Sequence, residues 1–248
     1  MLLLPLRVVH SSAFFARRLL SGSGGAAAAS ASTPAAAAAA SPPTASARAR
    51  AASWKAETDA MLRVDHAGEV AAVAIYAGQA WALRGTGSAA AEAEVARMGA
   101  GEEVHVATLE RLVAERRVRP TALLPLWRAA GWVLGASTAL LGPAAAMACT
   151  VAVETAIGGH YNAQLRALLV RGAESAAAGG GGGAQGATTA LNASDAELAN
   201  VIRRHRDEEL EHLETAQRHG AAQAPAAQAL GAVIRAGCAA AIVVAQRI

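Results

Sequence analysis

The chain predicts an all-α protein: a four-helix core around a pair of metal ions, with further apolar helices packed against it. Three observations carry that expectation. From Glu57 onward the sequence is rich in Ala, Leu, Arg and Glu, with no alternating strand pattern and few β-branched runs. Within it, four glutamates and two histidines run in the order Glu69, Glu102-Glu103-Val104-His105, Glu154, Glu209-Leu210-Glu211-His212, a Glu, Glu-x-x-His, Glu, Glu-x-x-His series. Glu69 to Glu102 spans 33 residues and Glu154 to Glu209 spans 55, but the second interval holds a Gly/Ala/Ser/Thr tract, Ala173 to Ser194, whose 22 residues account for the difference. The two halves therefore read as helical hairpins, the second carrying a disordered insertion at 173–194.

The elements follow in order. A first helix is expected from about Ala56 to Arg84, stopped by Gly85-Thr86-Gly87, and a second from near Ser88 to just before Pro120. Ala129 to Val153 has 25 residues without a charge, long enough to span a bilayer. Gly135, Gly142 and Pro143 divide it, and Glu154 follows at once, so it is better split into a helix from about Thr121 to Leu141 and another from about Ala144 to Arg171. The first of these, with Leu123, Leu124, Leu126, Trp127, Trp132 and Val133, suits shallow burial in one leaflet beside a greasy substrate, or else an ordinary place inside the bundle. Ser194-Asp195-Ala196-Glu197 has the form of a capping box opening a helix to about Gly220. A nearly uncharged last helix, from about Pro225 to Arg247, would cover the bundle or touch something greasy.

Charge separates an N-terminal leader from the rest. The first 56 residues hold Arg7, Arg17, Arg18, Arg48, Arg50 and Lys55 and no acidic residue, whereas the remainder has 16 Lys plus Arg, the chain's 22 less these six, against 19 Asp plus Glu. The basic pI of 9.4 thus belongs mainly to residues 1–55, and the remainder gives no support for nucleic-acid binding. Apolar stretches interrupted by Arg, then an Ala/Ser/Pro segment too poor in large apolar side chains to fold, match an organellar transit peptide. The domain is then 56–248. Cys149 and Cys238, both in apolar helical stretches, read as small buried hydrophobes.

The chemistry rests on spacing. Residues three apart on a helix lie about 60° apart around its axis, so each Glu-x-x-His pair can point both members into one interior. Two such pairs and two lone glutamates supply six donors, four hard carboxylates and two imidazoles without a thiolate. That set suits iron or manganese rather than a structural zinc. One carboxylate from each half could bridge. Glu154 is the sharpest member, since Cys149 to Ile157 is otherwise free of charge and an unpaired carboxylate there would be expensive to bury. Glu103, about 200° from His105, is expected in solvent. Glu208 shares the face of His212 and competes with Glu209 on spacing, and the repeat favours Glu209. His66, three before Glu69, is a possible seventh ligand. Asp65 and Asp207 are candidate acceptors for the histidine ligands' second ring nitrogens, or plain partners of Arg63 and Arg206.

Leu62–Glu69 (LRVDHAGE), Ile75–Gln79, Val118–Thr121, Leu140–Gly142, Ala146–Glu154, His160–Asn162 and Arg206–His212 (RDEELEH) together resemble the 5-demethoxyubiquinone hydroxylase family of ubiquinone biosynthesis, over about Met61 to Ile248. The resemblance implies a ferritin-like bundle with two iron ions held by Glu69, Glu102, His105, Glu154, Glu209 and His212. It implies hydroxylation of the demethoxyubiquinone ring with dioxygen and NADH as reductant, at the matrix face of the mitochondrial inner membrane, beside a lipid-binding partner protein. It further suggests that His160 and Tyr161 lie near the site and relay electrons or protons, against simple packing at a helix end. The insertion at 173–194 and a plain C-terminus, Ala239 to Ile248, depart from the family pattern. Two rival functions share these residues: a ferritin-like ferroxidase or peroxide scavenger, and a non-catalytic assembly factor.

Overall fold

Each half of the chain forms the hairpin that the glutamate spacing requires. The computed structural model describes residues 44–178 and 191–248; most of the expected leader and residues 179–190 of the insertion lie outside them. The helices are α1 (Ala45–Leu83), α2 (Ala89–Arg116), α3 (Leu124–Leu140), α4 (Pro143–Ala178), α5 (Ala193–Arg218) and α6 (Ala227–Ala245), with a 3₁₀ turn at Ala221–Gln223. α1 packs on α2 and α4 packs on α5, while α3 lies against α1 and α6 against α4.

Four boundaries differ from the sequence expectation, each for a local reason. α1 begins at Ala45, inside the expected leader, where Thr44 Oγ1 accepts from the Ala47 amide at 3.2 Å. The Ala/Arg composition that denies residues 45–52 a core is also the composition with the highest helix propensity. For the same reason α4 runs beyond Arg171 to Ala178, so the first residues of the tract expected to be disordered are helical. α5 is capped by Asn192, whose side chain accepts from the Asp195 amide at 2.8 Å, and not by Ser194. Asp195, three residues on, completes the cap: its carboxylate accepts from Asn192 Nδ2 at 2.9 Å and also from Trp54 Nε1 at 2.7 Å. α3 starts at Leu124, three residues after the expected Thr121, with Pro125 in its first turn where the missing N–H is harmless.

The crossing of α1 and α3 is unusually close. A Cβ added to Gly135 would lie 1.9 Å from the Ile75 carbonyl oxygen, one on Gly78 2.2 Å from that of Trp132, and one on Gly131 2.5 Å from that of Ala71. Glycine is therefore the only residue that permits this backbone approach. Because contact runs through these small residues, the large ones of α3 are left outside: Leu126, Trp132, Val133, Leu140 and Leu141 are exposed, and the buried positions are Gly131, Gly135, Ala136, Thr138 and Ala139. Of the two readings that the residues of this helix allowed, an ordinary buried bundle helix is thus excluded. α6 resembles it, with Gly231, Ile234 and Ala245 buried and Val233 71% exposed. It is the one described helix long and apolar enough to cross a membrane.

Candidate metal centre

Each of the four core helices contributes carboxylate to one buried point. Glu69 comes from α1, Glu102 and His105 from α2, Glu154 from α4, and Glu209 and His212 from α5, all 5% exposed or less. Their donor atoms form two overlapping sets: Glu69, Glu102, His105 and Glu209 in one, and Glu102, Glu154, Glu209 and His212 in the other, each with all donors within 4.8 Å of one another. Glu102 and Glu209 belong to both. His105 Nδ1 is 3.0 Å from Glu102 Oε2 and 3.2 Å from Glu209 Oε1, while His212 Nδ1 is 2.9 Å from Glu102 Oε1 and 3.4 Å from Glu209 Oε2. Each of these two carboxylates therefore turns one oxygen to either histidine, as a bridging carboxylate must. Glu69 and Glu154 are terminal, one to each set.

The electrostatics identify what is lacking. Burial, with Glu209 nearby, pushes the Glu69 carboxyl well above its ordinary value, and burial with Glu209 and Glu102 nearby does the same to Glu154. Against the upward pull of burial, the imidazoles of His105 and His212, 2.9–3.4 Å away, hold Glu102 down to about 2 and keep Glu209 low. Conversely, burial opposes charge on the imidazoles, but Glu102 and Glu209 raise His212 to about 9 and His105 further still. Carboxyls raised at Glu69 and Glu154, beside Glu102 and Glu209 paired with imidazoles, limit the charge that a dry interior has to carry without metal. Even so, both Glu209 oxygens, Glu102 Oε1 and His212 Nδ1 are buried without a well-formed hydrogen bond. Such orphaned donors facing one another suit a pair of divalent cations.

The surrounding shell was only partly anticipated. His105 Nε2–H donates to Glu208 Oε2 at 2.5 Å, so the glutamate that competed with Glu209 on spacing instead orients the other pair's histidine. Tyr76, two turns beyond Glu69 on the same face, donates to Glu154 Oε1 at 2.8 Å. Tyr161 donates to Glu69, and His160 Nε2 lies 3.2 Å from Asp65 Oδ1, which also accepts from Gln164 Nε2 at 2.8 Å. Tyr161 thus touches a cluster glutamate, whereas His160 joins the Asp65–Gln164 pair beside it, and both lie in the middle of α4. Asp65 serves His160 rather than a cluster histidine, and Asp207 pairs with Arg206 at the surface. His66 is buried but joins neither set. His205 was overlooked: it is 2% exposed, its ring stacks on that of His105 at 4.1 Å, and its Nδ1 is 3.9 Å from Glu69 Oε1. Its position four residues before Glu209 and seven before His212 was the available signal.

An apolar cleft reaches the cluster from the side of α1, α4 and α6. Its cavity volume is about 90 Å³ and it is partly open to solvent; Ala71, Ile75, Trp127, Val153 and Ile242 line its walls, and Asp65, Glu69, His160 and Tyr161 are its polar lining. Cys238 also lines it, and neither cysteine is in a disulfide.

The sequence model of the family described as ubiquinone biosynthesis protein COQ7 matches residues 56–245. The chain belongs to that family. It is accordingly an oxidoreductase of ubiquinone biosynthesis, and the buried cluster is its di-metal centre. Among its relatives, the NADPH-dependent 3-demethoxyubiquinone 3-hydroxylase, mitochondrial, of Rattus norvegicus is 44% identical over 193 residues, 78% of this chain and 79% of the relative. The 3-demethoxyubiquinol 3-hydroxylase of Rhodospirillum rubrum is 45% identical over 191 residues, 77% of this chain and 78% of the relative. The 5-demethoxyubiquinone hydroxylase, mitochondrial, of Saccharomyces cerevisiae is 42% identical over 161 residues, 65% of each.

Proposed function

We propose that the protein hydroxylates the ring of demethoxyubiquinone or its quinol, with two iron ions held by Glu69, Glu102, His105, Glu154, Glu209 and His212. The observation that carries this reading is the shared wall of cleft and cluster: Glu69 and Tyr161 line an apolar cleft and also belong to, or touch, the buried carboxylates. A ferroxidase or peroxide scavenger handles small polar substrates and has no use for such a cleft. A polyprenyl quinone needs a greasy passage that ends at the metals.

When bound, the iron pair supplies dioxygen activation, with electrons drawn from a reduced nicotinamide nucleotide. The name of the Rattus norvegicus relative specifies NADPH, where the resemblance alone suggested NADH. The protein's own residues do the rest. Glu102 and Glu209 would each offer one oxygen to either ion, Glu208 holds the His105 ring in one orientation, and Tyr76 and Tyr161 fix Glu154 and Glu69 by hydrogen bonds. The cleft's apolar walls exclude water around the ring and align it toward Glu69. At the polar end, Asp65 and Gln164 hold His160 where it can take up or release a proton from the quinol oxygen.

The exposed apolar faces of α3 and α6 support a peripheral seat on the mitochondrial inner membrane, matrix side, with the quinone entering from the bilayer and a lipid-binding partner protein assisting transfer. The test is restoration of ubiquinone in cells lacking their demethoxyubiquinone hydroxylase. The full chain should restore it and Glu209→Gln should not. Restoration by Glu209→Gln, or iron-dependent peroxide consumption without ring hydroxylation, would overturn the proposal.

A further inference from the structure

Arg128 is the one charged residue between Arg119 and Glu154. It is exposed on α3 beside the exposed Leu126, Trp132 and Val133, and it takes part in none of the ion pairs among the described residues. Other exposed arginines, such as Arg84 and Arg117, cap the ends of α1 and α2, where free carbonyls and water surround them. Arg128 stands instead on an apolar surface. It borders an open groove of about 530 Å³ between α1 and α3, whose walls include Val70, Val73, Ala77, Leu124 and Trp132, and no other charged group lines it. The groove is separate from the cleft at the cluster, because Trp127 lines the cleft and Arg128, about 100° further around α3, lines the groove. Trp132 meets Trp81 at 5.2 Å between ring centroids, and the two are 39% and 49% exposed.

We propose that this groove binds one anionic phospholipid, with the headgroup phosphate on Arg128 and an acyl chain along the wall formed by α1 and α3. A guanidinium presents paired donors that match two phosphate oxygens. The aliphatic walls offer a hydrocarbon chain dispersion contacts and demand no hydrogen bond of it. A protein partner's carboxylate could also satisfy Arg128, but its backbone amides would meet walls without donor or acceptor. The exposed tryptophan pair has the composition of the level where headgroups meet chains. No carboxylate lines the groove, so the charge of Arg128 favours an anionic lipid over a zwitterionic one, which brings its own cation. The consequence is registration. A lipid held here fixes the level of α3 against the bilayer, and with it the level at which the cleft beside Trp127 opens.

The site rests on the membrane seat proposed above, and its test separates the two. The full chain is mixed with vesicles of phosphatidylcholine holding a minority of phosphatidylglycerol, with brominated acyl chains on one lipid or on the other. Bromine quenches tryptophan fluorescence on contact, and Trp132 lines the groove. The parent should be quenched more strongly by brominated phosphatidylglycerol. Arg128→Gln should reduce that preference by about fivefold while melting as the parent does, and Arg128→Lys should retain most of it. Arg50→Gln, which removes an exposed charge about 30 Å back along α1 from Val70, should leave it unchanged. Ala77→Phe, which fills the groove, should lower quenching by both lipids. An equal fall in Arg50→Gln and Arg128→Gln would overturn the site in favour of diffuse attraction. An unchanged preference in Arg128→Gln would overturn it and leave Arg128 to a protein partner's carboxylate. Failure of the parent to bind vesicles at all would overturn the membrane seat, and the lipid site with it.

Discussion

At the scale of single residues, the centre is four carboxyls and two imidazoles whose protons metal ions would displace. Burial raises Glu69 and Glu154 toward the protonated form, while Glu102 and Glu209 raise His105 and His212. Loading with divalent ions should therefore release protons, which calorimetry in buffers of different ionisation enthalpy near neutral pH detects, and affinity should fall as pH decreases. Loading without proton release would contradict these directions. For the metal-free protein the sign is the opposite. His212 is raised from 6.5 to about 9, so its contribution to stability is complete below pH 6.5 and is lost as pH rises through 9. Tyr76→Phe leaves Glu154 without its donor, and a loss of about 1 kcal/mol is expected in urea unfolding of the metal-free protein.

At the scale of elements, the two hairpins follow from local periodicity, whereas the place of α3 depends on three glycines. Gly78, Gly131 and Gly135 allow α1 and α3 to meet backbone to backbone, and that meeting sends the large side chains of α3 outward. Gly135→Ala would put a methyl carbon 1.9 Å from the Ile75 carbonyl oxygen. Neither backbone can yield without parting the helices. A loss of about 3 kcal/mol or more is expected, read as a lowered midpoint in thermal unfolding, since the clash is with main chain and not with a flexible tip. Ala substituted at Gly158, where an added Cβ meets nothing within 4 Å, should instead be neutral or stabilising.

At the scale of the whole molecule, the exposed apolar faces of α3 and α6 and the cleft bordered by Trp127 and Ile242 support the proposal that the protein takes its substrate from a lipid phase. Leu141 and Val233, 68% and 71% exposed, contribute little to the core. Leu141→Glu combined with Val233→Glu should leave thermal stability unchanged while abolishing flotation with vesicles containing cardiolipin. Undiminished flotation would place the membrane contact elsewhere.

Much of this was legible in the sequence because it is local. A Glu-x-x-His pair shares a helix face wherever that helix is placed, and a Glu-to-Glu spacing that matches once the tract at 173–194 is set aside marks two hairpins, so all six donors of the cluster could be named from the chain alone. The leader's charge asymmetry, too, is visible without a fold. Proximity between residues far apart in the chain could not be read in this way. Glu208 meets His105 across 103 positions, Tyr161 meets Glu69 across 92, and His205 approaches the cluster only because α5 rotates it there. Which carboxylates bridge, where the cleft opens and which face of α3 remains bare are set by how helices cross. Crossing depends on glycines and packed side chains acting together, and no window of consecutive residues contains that information.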